Sequence, residues 1–141
     1  MCRARKILQV AERVIASSEA GSSFDVAAVV TQGSKIISTG RNTWRVDPFI
    51  NRNYASYCTA HAEVEALRAA RRTKASLVDA VIYVFRWHKD GTLAVARPCE
   101  ACRKALAAHG IVWACYSTHA DYCCQGLTTR DMVRMLCWEK L

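Results

Sequence analysis

Apolar residues near the start of the chain recur with a helical period. Ile7, Val10, Ala11, Val14 and Ile15 form one stripe, which predicts a helix from Arg3 to Glu19 ended by Gly21-Ser22-Ser23. Phe24 to Thr31 and Lys35 to Thr39 are short β-rich runs, and Gln32-Gly33-Ser34 between them reads as a hairpin turn. Arg41 to Cys58 has no helical period and contains Asp47-Pro48, so it is expected to be a long loop. Thr59 to Arg72 is rich in Ala, Glu, Leu and Arg, which are strong helix formers.

The second half alternates more clearly. Ala80 to Trp87 (AVIYVFRW) is dense in β-branched and aromatic residues, as expected of a central strand buried on both faces. Lys89-Asp90-Gly91 is a turn, and Thr92 to Ala96 is expected to return as a second strand. Pro98 is expected to open a helix running to His109, with Gly110 just past its end. Ile111 to Tyr116 reads as a strand, and Thr128 with Asp131 as a capping box for a last helix ending near Trp138. Strands alternating with helices predict an α/β sandwich with a mixed sheet.

Length and composition set the frame for that pattern. The 141 residues suit one domain spanning 1-141, with 52% hydrophobic and 23% charged residues. This content excludes intrinsic disorder, and no uncharged apolar run reaches the ~20 residues of a membrane span. Glu12 and Arg13 interrupt the first apolar run too early for a secretory leader, so a cytoplasmic protein is expected. There, the eight cysteines are expected as thiols or metal ligands. Lys+Arg 20 against Asp+Glu 12 gives a net charge of +8, which leaves a nucleic-acid partner and a merely soluble basic surface both open.

Three residues carry candidate metal chemistry. Cys99 and Cys102 lie at i and i+3 of a helix start, on one face, where free N–H groups favour thiolates. His61 lies at the start of the other central helix. Two thiolates and one imidazole suit Zn²⁺ and leave one tetrahedral position open, as hydrolytic zinc requires. Glu63 could serve such a site as a proton shuttle. On an ideal helix, however, His61 and Glu63 would point to nearly opposite faces, so the first turn must be irregular or the two must approach from different angles.

His61-Ala62-Glu63 followed by Pro98-Cys99-Glu100-Ala101-Cys102 resembles the signature of the zinc-dependent nucleobase deaminase superfamily, which includes cytidine and deoxycytidylate deaminases. The 34 residues between the two halves look slightly long for that family, and the excess falls at Arg86 to Arg97. The resemblance implies a cytidine-deaminase-like three-layer sandwich and one catalytic Zn²⁺ on His61, Cys99 and Cys102. It implies Glu63 as the proton-transferring catalytic residue, the Ala62 N–H as a contact to the base, and Asn42 as a contact to the sugar. It further implies a homo-oligomer and hydrolytic deamination, with cytosine preferred, of a free nucleoside or nucleotide such as deoxycytidylate.

Two alternatives stand beside that expectation. The first is a deaminase of single-stranded DNA or RNA, tracked by Arg41, Arg45 and Arg52 interleaved with Trp44, Phe49, Tyr54 and Tyr57. The second is a non-catalytic zinc module that binds nucleic acid, for which Glu63 would have no use. Cys58 reads as a further ligand or a small buried hydrophobe, and His119, Cys123 and Cys124 as loop residues or a second metal site. Trp87, Trp113 and Trp138 are expected in the core or at an interface.

Overall fold

A computed structural model describes residues 3–17, 24–43, 61–118 and 136–141. In chain order the elements are α1 (Arg3–Ala16), β1 (Asp25–Gln32), β2 (Lys35–Arg41), α2 (Ala62–Arg72), β3 (Val81–Trp87), β4 (Leu93–Ala94), α3 (Glu100–Ala108), β5 (Trp113–Ser117) and β6 (Leu136–Lys140). The sheet runs β2-β1-β3-β5-β6, with the short β4 beside β3. Among the described residues, β3 and β5 pair in parallel and the other pairs are antiparallel.

The two-residue period of β3 divides the core. Ile82 and Val84 face α2 and α3, packing with Ala66, Leu67 and Leu106. Tyr83, Phe85 and Trp87 face α1, against Ile7, Leu8 and Ala11. Helices therefore cover both sides of a mixed α/β sheet, as the pattern predicts. The hairpin after β3 is formed as well: Arg86 pairs with Ala94 and Trp87 with Leu93.

One close approach seats α2 on the sheet. A Cβ at Gly40 would lie 2.3 Å from the Ala66 nitrogen and 2.6 Å from the Ala62 carbonyl oxygen. Both obstacles are backbone, so only glycine lets β2 carry the first turns of α2 at this distance. Ala28, Ala62 and Ala66 are buried around the same contact. The Ser38 hydroxyl adds a buried hydrogen bond of 2.7 Å to the Ala66 carbonyl.

Four sequence expectations need correction. Leu136–Lys140 is a strand, paired antiparallel with β5 from Trp113↔Lys140 to Ser117↔Leu136, so Trp138 does not end a helix. Residues Thr128 and Asp131 lie outside the described residues. Pro98 does not open α3, because Cys99 is its N-cap and the helix starts at Glu100. Likewise His61 is extended (φ −75°, ψ 147°), and α2 starts only after it. Arg41 ends β2 instead of starting a loop. It is buried, 2.7 Å from Asp25 Oδ1, and donates to the Ile15 carbonyl at 2.9 Å, which commits it to the fold. The rest of that loop, from 44 to 58, and His119, Cys123 and Cys124 lie outside the described residues. Of the tryptophans, Trp87 is buried, whereas Trp113 and Trp138 are exposed on the α1 side of β5 and β6.

Candidate functional site

The first turns of α2 and α3 meet at the C-terminal ends of the parallel strands β3 and β5, where open α/β sheets bind ligands. His61 Nδ1 lies 3.5 Å from Cys99 Sγ and 3.3 Å from Cys102 Sγ. The ligand atoms of the three residues lie within 4.8 Å of one another. Zn–N and Zn–S bonds of ordinary length at a tetrahedral angle would place nitrogen and sulfur about 3.5 Å apart. The donor set and its spacing thus fit a zinc ion held by these three ligands among the described residues.

Local backbone geometry resolves the opposed faces of His61 and Glu63. Because His61 occupies the extended N-cap position, its side chain is not on the helical wheel of α2. Glu63 is helical, and its carboxylate reaches the same cluster, where Cys102 Sγ is 3.5 Å from Oε2. Ala62 stands between them as the first helical residue, a position whose N–H has no partner within its own helix.

The site's electrostatics follow from burial and these contacts. Burial pushes the Glu63 carboxyl above the usual carboxylate range. A hydrogen bond from the Cys102 side chain, joined by others from His61 and the Cys102 N–H, holds the Cys99 thiol down at about 4. Its bond to Cys99 and its burial push Cys102 the other way. Cys99 also caps α3, its sulfur accepting from the Cys102 N–H at 3.4 Å. A thiolate at a helix N-terminus gains from the positive end of the dipole.

These groups open onto a cavity of about 290 Å³, lined by His61, Ala62, Glu63 and Cys99 together with Phe24, Asn42, Arg86 and Arg97. Asn42 is thus at the cavity, but its amide also serves the sheet. Oδ1 accepts from the Val26 N–H at 3.0 Å, and Nδ2 donates to the Phe24 carbonyl at 3.1 Å, extending the β1–β2 ladder by one rung.

The sequence reading missed two groups around this centre. Arg86 lies at the cavity wall, its guanidinium 3.9 Å above the Phe24 ring. The strand period held the signal, because Arg86 shares parity with the inward Ile82 and Val84. Glu139 in β6 binds Arg97 through both carboxylate oxygens (2.8 and 2.7 Å), Arg103 at 2.7 Å and the Tyr116 hydroxyl at 3.1 Å. Arg97 and Arg103 bracket Cys99 and Cys102 in the chain. No local sequence signal marks Glu139, since its partners come from three other segments.

Comparison with known proteins agrees with this geometry. The family model described as the cytidine and deoxycytidylate deaminase zinc-binding region matches residues 1–118. A cytidine deaminase structure from Burkholderia pseudomallei superposes with a TM-score of 0.61 at 20% identity, covering 96% of this chain and 90% of that one. A dCMP deaminase from the cyanophage S-TIM5 gives 0.57 at 21% identity, covering 84% of each chain. At such identities these structures establish a shared fold. No curated protein sequence matches the chain significantly.

Proposed function

We propose, for a chain that belongs to the cytidine and deoxycytidylate deaminase zinc-binding family, that it hydrolytically deaminates a cytosine base, most simply in a free (deoxy)cytidine or deoxycytidylate-type substrate. The observation that carries this reading is the buried Glu63 carboxylate, which shares one cavity with His61 and Cys99 and lies 3.5 Å from Cys102 Sγ, the third member of the cluster. A structural metal site would be closed by four protein ligands and would have no use for an adjoining carboxylate.

His61, Cys99 and Cys102 would hold zinc, which when bound supplies Lewis acidity toward the water used in hydrolysis. Every other step belongs to the chain. Glu63 accepts a proton from the attacking water as it adds to C4 of the base, and delivers that proton to the ring nitrogen. Transfer of the water's second proton to the exocyclic amino group lets it leave as ammonia, so cytosine and water become uracil and ammonia. The helical position of Glu63, in the first turn of α2 with Oε2 3.5 Å from Cys102 Sγ, supports this role. The Ala62 N–H is assigned to the base, and Asn42, which lines the same cavity, to the sugar. We extend the proposal to a homo-oligomer. Exposed Trp113 and Trp138 support it, and light scattering after size-exclusion chromatography tests it.

The test is ammonia release by the zinc-loaded protein from cytidine, deoxycytidine, deoxycytidylate and adenosine. Glu63→Gln should cut turnover by roughly 10²- to 10⁴-fold while leaving about one zinc bound. Turnover that survives Glu63→Gln would refute the assignment of the proton shuttle. If the wild-type protein turns over none of these, the deaminase reading fails for these bases.

A further inference from the structure

Arg86 is out of place for a purely structural strand residue. It occupies an inward position at the end of the central strand, on the side that otherwise carries Ile82 and Val84. Its Nε is buried and has no hydrogen-bond partner among the described residues. Its guanidinium makes no ion pair there either, and it lies over the face of the Phe24 ring. A half-buried cation without an acceptor costs stability unless something else satisfies it. The side chain lines the same cavity as Glu63 and His61.

The neighbouring charges do not supply that acceptor. Arg97, also on the cavity wall, is gripped by Glu139, and Glu139 is shared with Arg103. One carboxylate between two guanidiniums leaves that cluster with a net positive charge. The lining carboxylate is Glu63, which lies against Cys102. Taken with the two thiolates and a zinc ion, which roughly cancel, the Arg86 and Arg97 part of the cavity lining carries an uncompensated positive charge.

Resting on the deaminase reading above, we propose that Arg86, with Arg97 beside it, is an anion-binding wall that selects a substrate carrying a phosphate. An uncharged nucleoside would leave the guanidinium unsatisfied, whereas a phosphate monoester or diester offers the acceptor oxygens that a guanidinium fork matches. The Phe24 ring, 3.9 Å from the guanidinium carbon, restrains the fork by a cation–π contact, which limits the rotamers lost on binding.

The experiment uses the zinc-loaded protein and reads binding and turnover separately. Isothermal titration compares deoxyuridine with its 5′-monophosphate, the expected products, which bind without reacting. Steady-state kinetics compare deoxycytidine, its 5′-monophosphate and a short single strand containing one cytosine. The monophosphate should bind roughly 10- to 100-fold more tightly than the nucleoside, and Arg86→Gln should erase most of that ratio. Arg86→Lys, which keeps the charge without the fork, should retain part of it and guards against a folding defect in the first variant.

Equal affinity for the two forms overturns the proposal, as does a ratio untouched by Arg86→Gln or a failure of the monophosphate to bind. If ammonia is still released from deoxycytidine in those cases, the deaminase reading survives and the phosphate wall alone is lost. Phosphate-dependent binding without ammonia release would sink the deaminase reading and keep the wall. An Arg86-dependent preference for the single strand over the monophosphate assigns the phosphate to a polynucleotide backbone, and the reverse assigns it to a mononucleotide.

Discussion

Glu139 holds Arg97 through both arms of its guanidinium, and so ties the last strand of the sheet to the residue two before Cys99. The same carboxylate reaches Arg103, the residue after Cys102. One acid from β6 therefore braces the thiol segment on both sides, though it touches neither sulfur. Glu139→Gln should weaken zinc retention by roughly 10-fold, as loss of an outer support for metal ligands commonly does. Competition with a chromophoric chelator measures this, and unchanged retention would reduce the clamp to surface decoration.

The clamp also sets an acid dependence of stability. Its partners, Arg97 first, hold the Glu139 carboxyl down at about 2, against 4.5 for a free glutamate. The folded value lies below the unfolded one, so the stabilisation is fully present above about pH 4.5 and fades as pH falls toward 2. Thermal melts should show wild type above Glu139→Gln at pH 6, with the gap narrowing steadily below pH 4.5. A gap that stayed constant to pH 2 would contradict the assignment.

Gly40 makes a prediction that needs no substrate. Gly40→Ala forces a methyl group into the Ala62 and Ala66 backbone, and backbone cannot swing aside. The expected loss is at least about 1–3 kcal/mol in urea unfolding, the usual range for overpacking. Zinc affinity should fall with it, because the displaced turn carries His61.

Asn42 separates a structural role from a substrate role. Asn42→Ala removes the bonds to Val26 and Phe24, at an expected cost of about 1–3 kcal/mol in a part-buried setting. If the proposed sugar contact also exists, KM for the substrate should rise at temperatures where the variant stays fully folded. A stability loss with unaltered KM would confine Asn42 to the ladder.

The cluster itself predicts a spectroscopic signature. Replacing zinc with Co²⁺ should give sulfur-to-metal charge-transfer bands, since two of the three candidate ligands are thiolates. Cys102→Ser should weaken those bands and lower metal affinity, whereas Cys115→Ser, buried on the α1 side of the sheet, should leave them intact.

The chain by itself determined the features that rest on local rules. The i, i+3 spacing of Cys99 and Cys102, the turn at Lys89-Asp90-Gly91 and the alternation through β3 each depend on residues within a turn or two of one another. They were legible for that reason, and so was the α/β order they imply. Tertiary structure decided what depends on distant partners. Leu136–Lys140 became a strand because β5 offered an open edge to pair with, an advantage invisible to local propensity. The extended backbone at His61 exists where α2 is seated on Gly40, and it alone lets His61 and Glu63 converge. Arg41 went to Asp25, Glu139 to Arg97, and Arg86 to the cavity wall. Charge is plentiful along this chain, and only the folded geometry specifies which charges meet and which is left for a ligand.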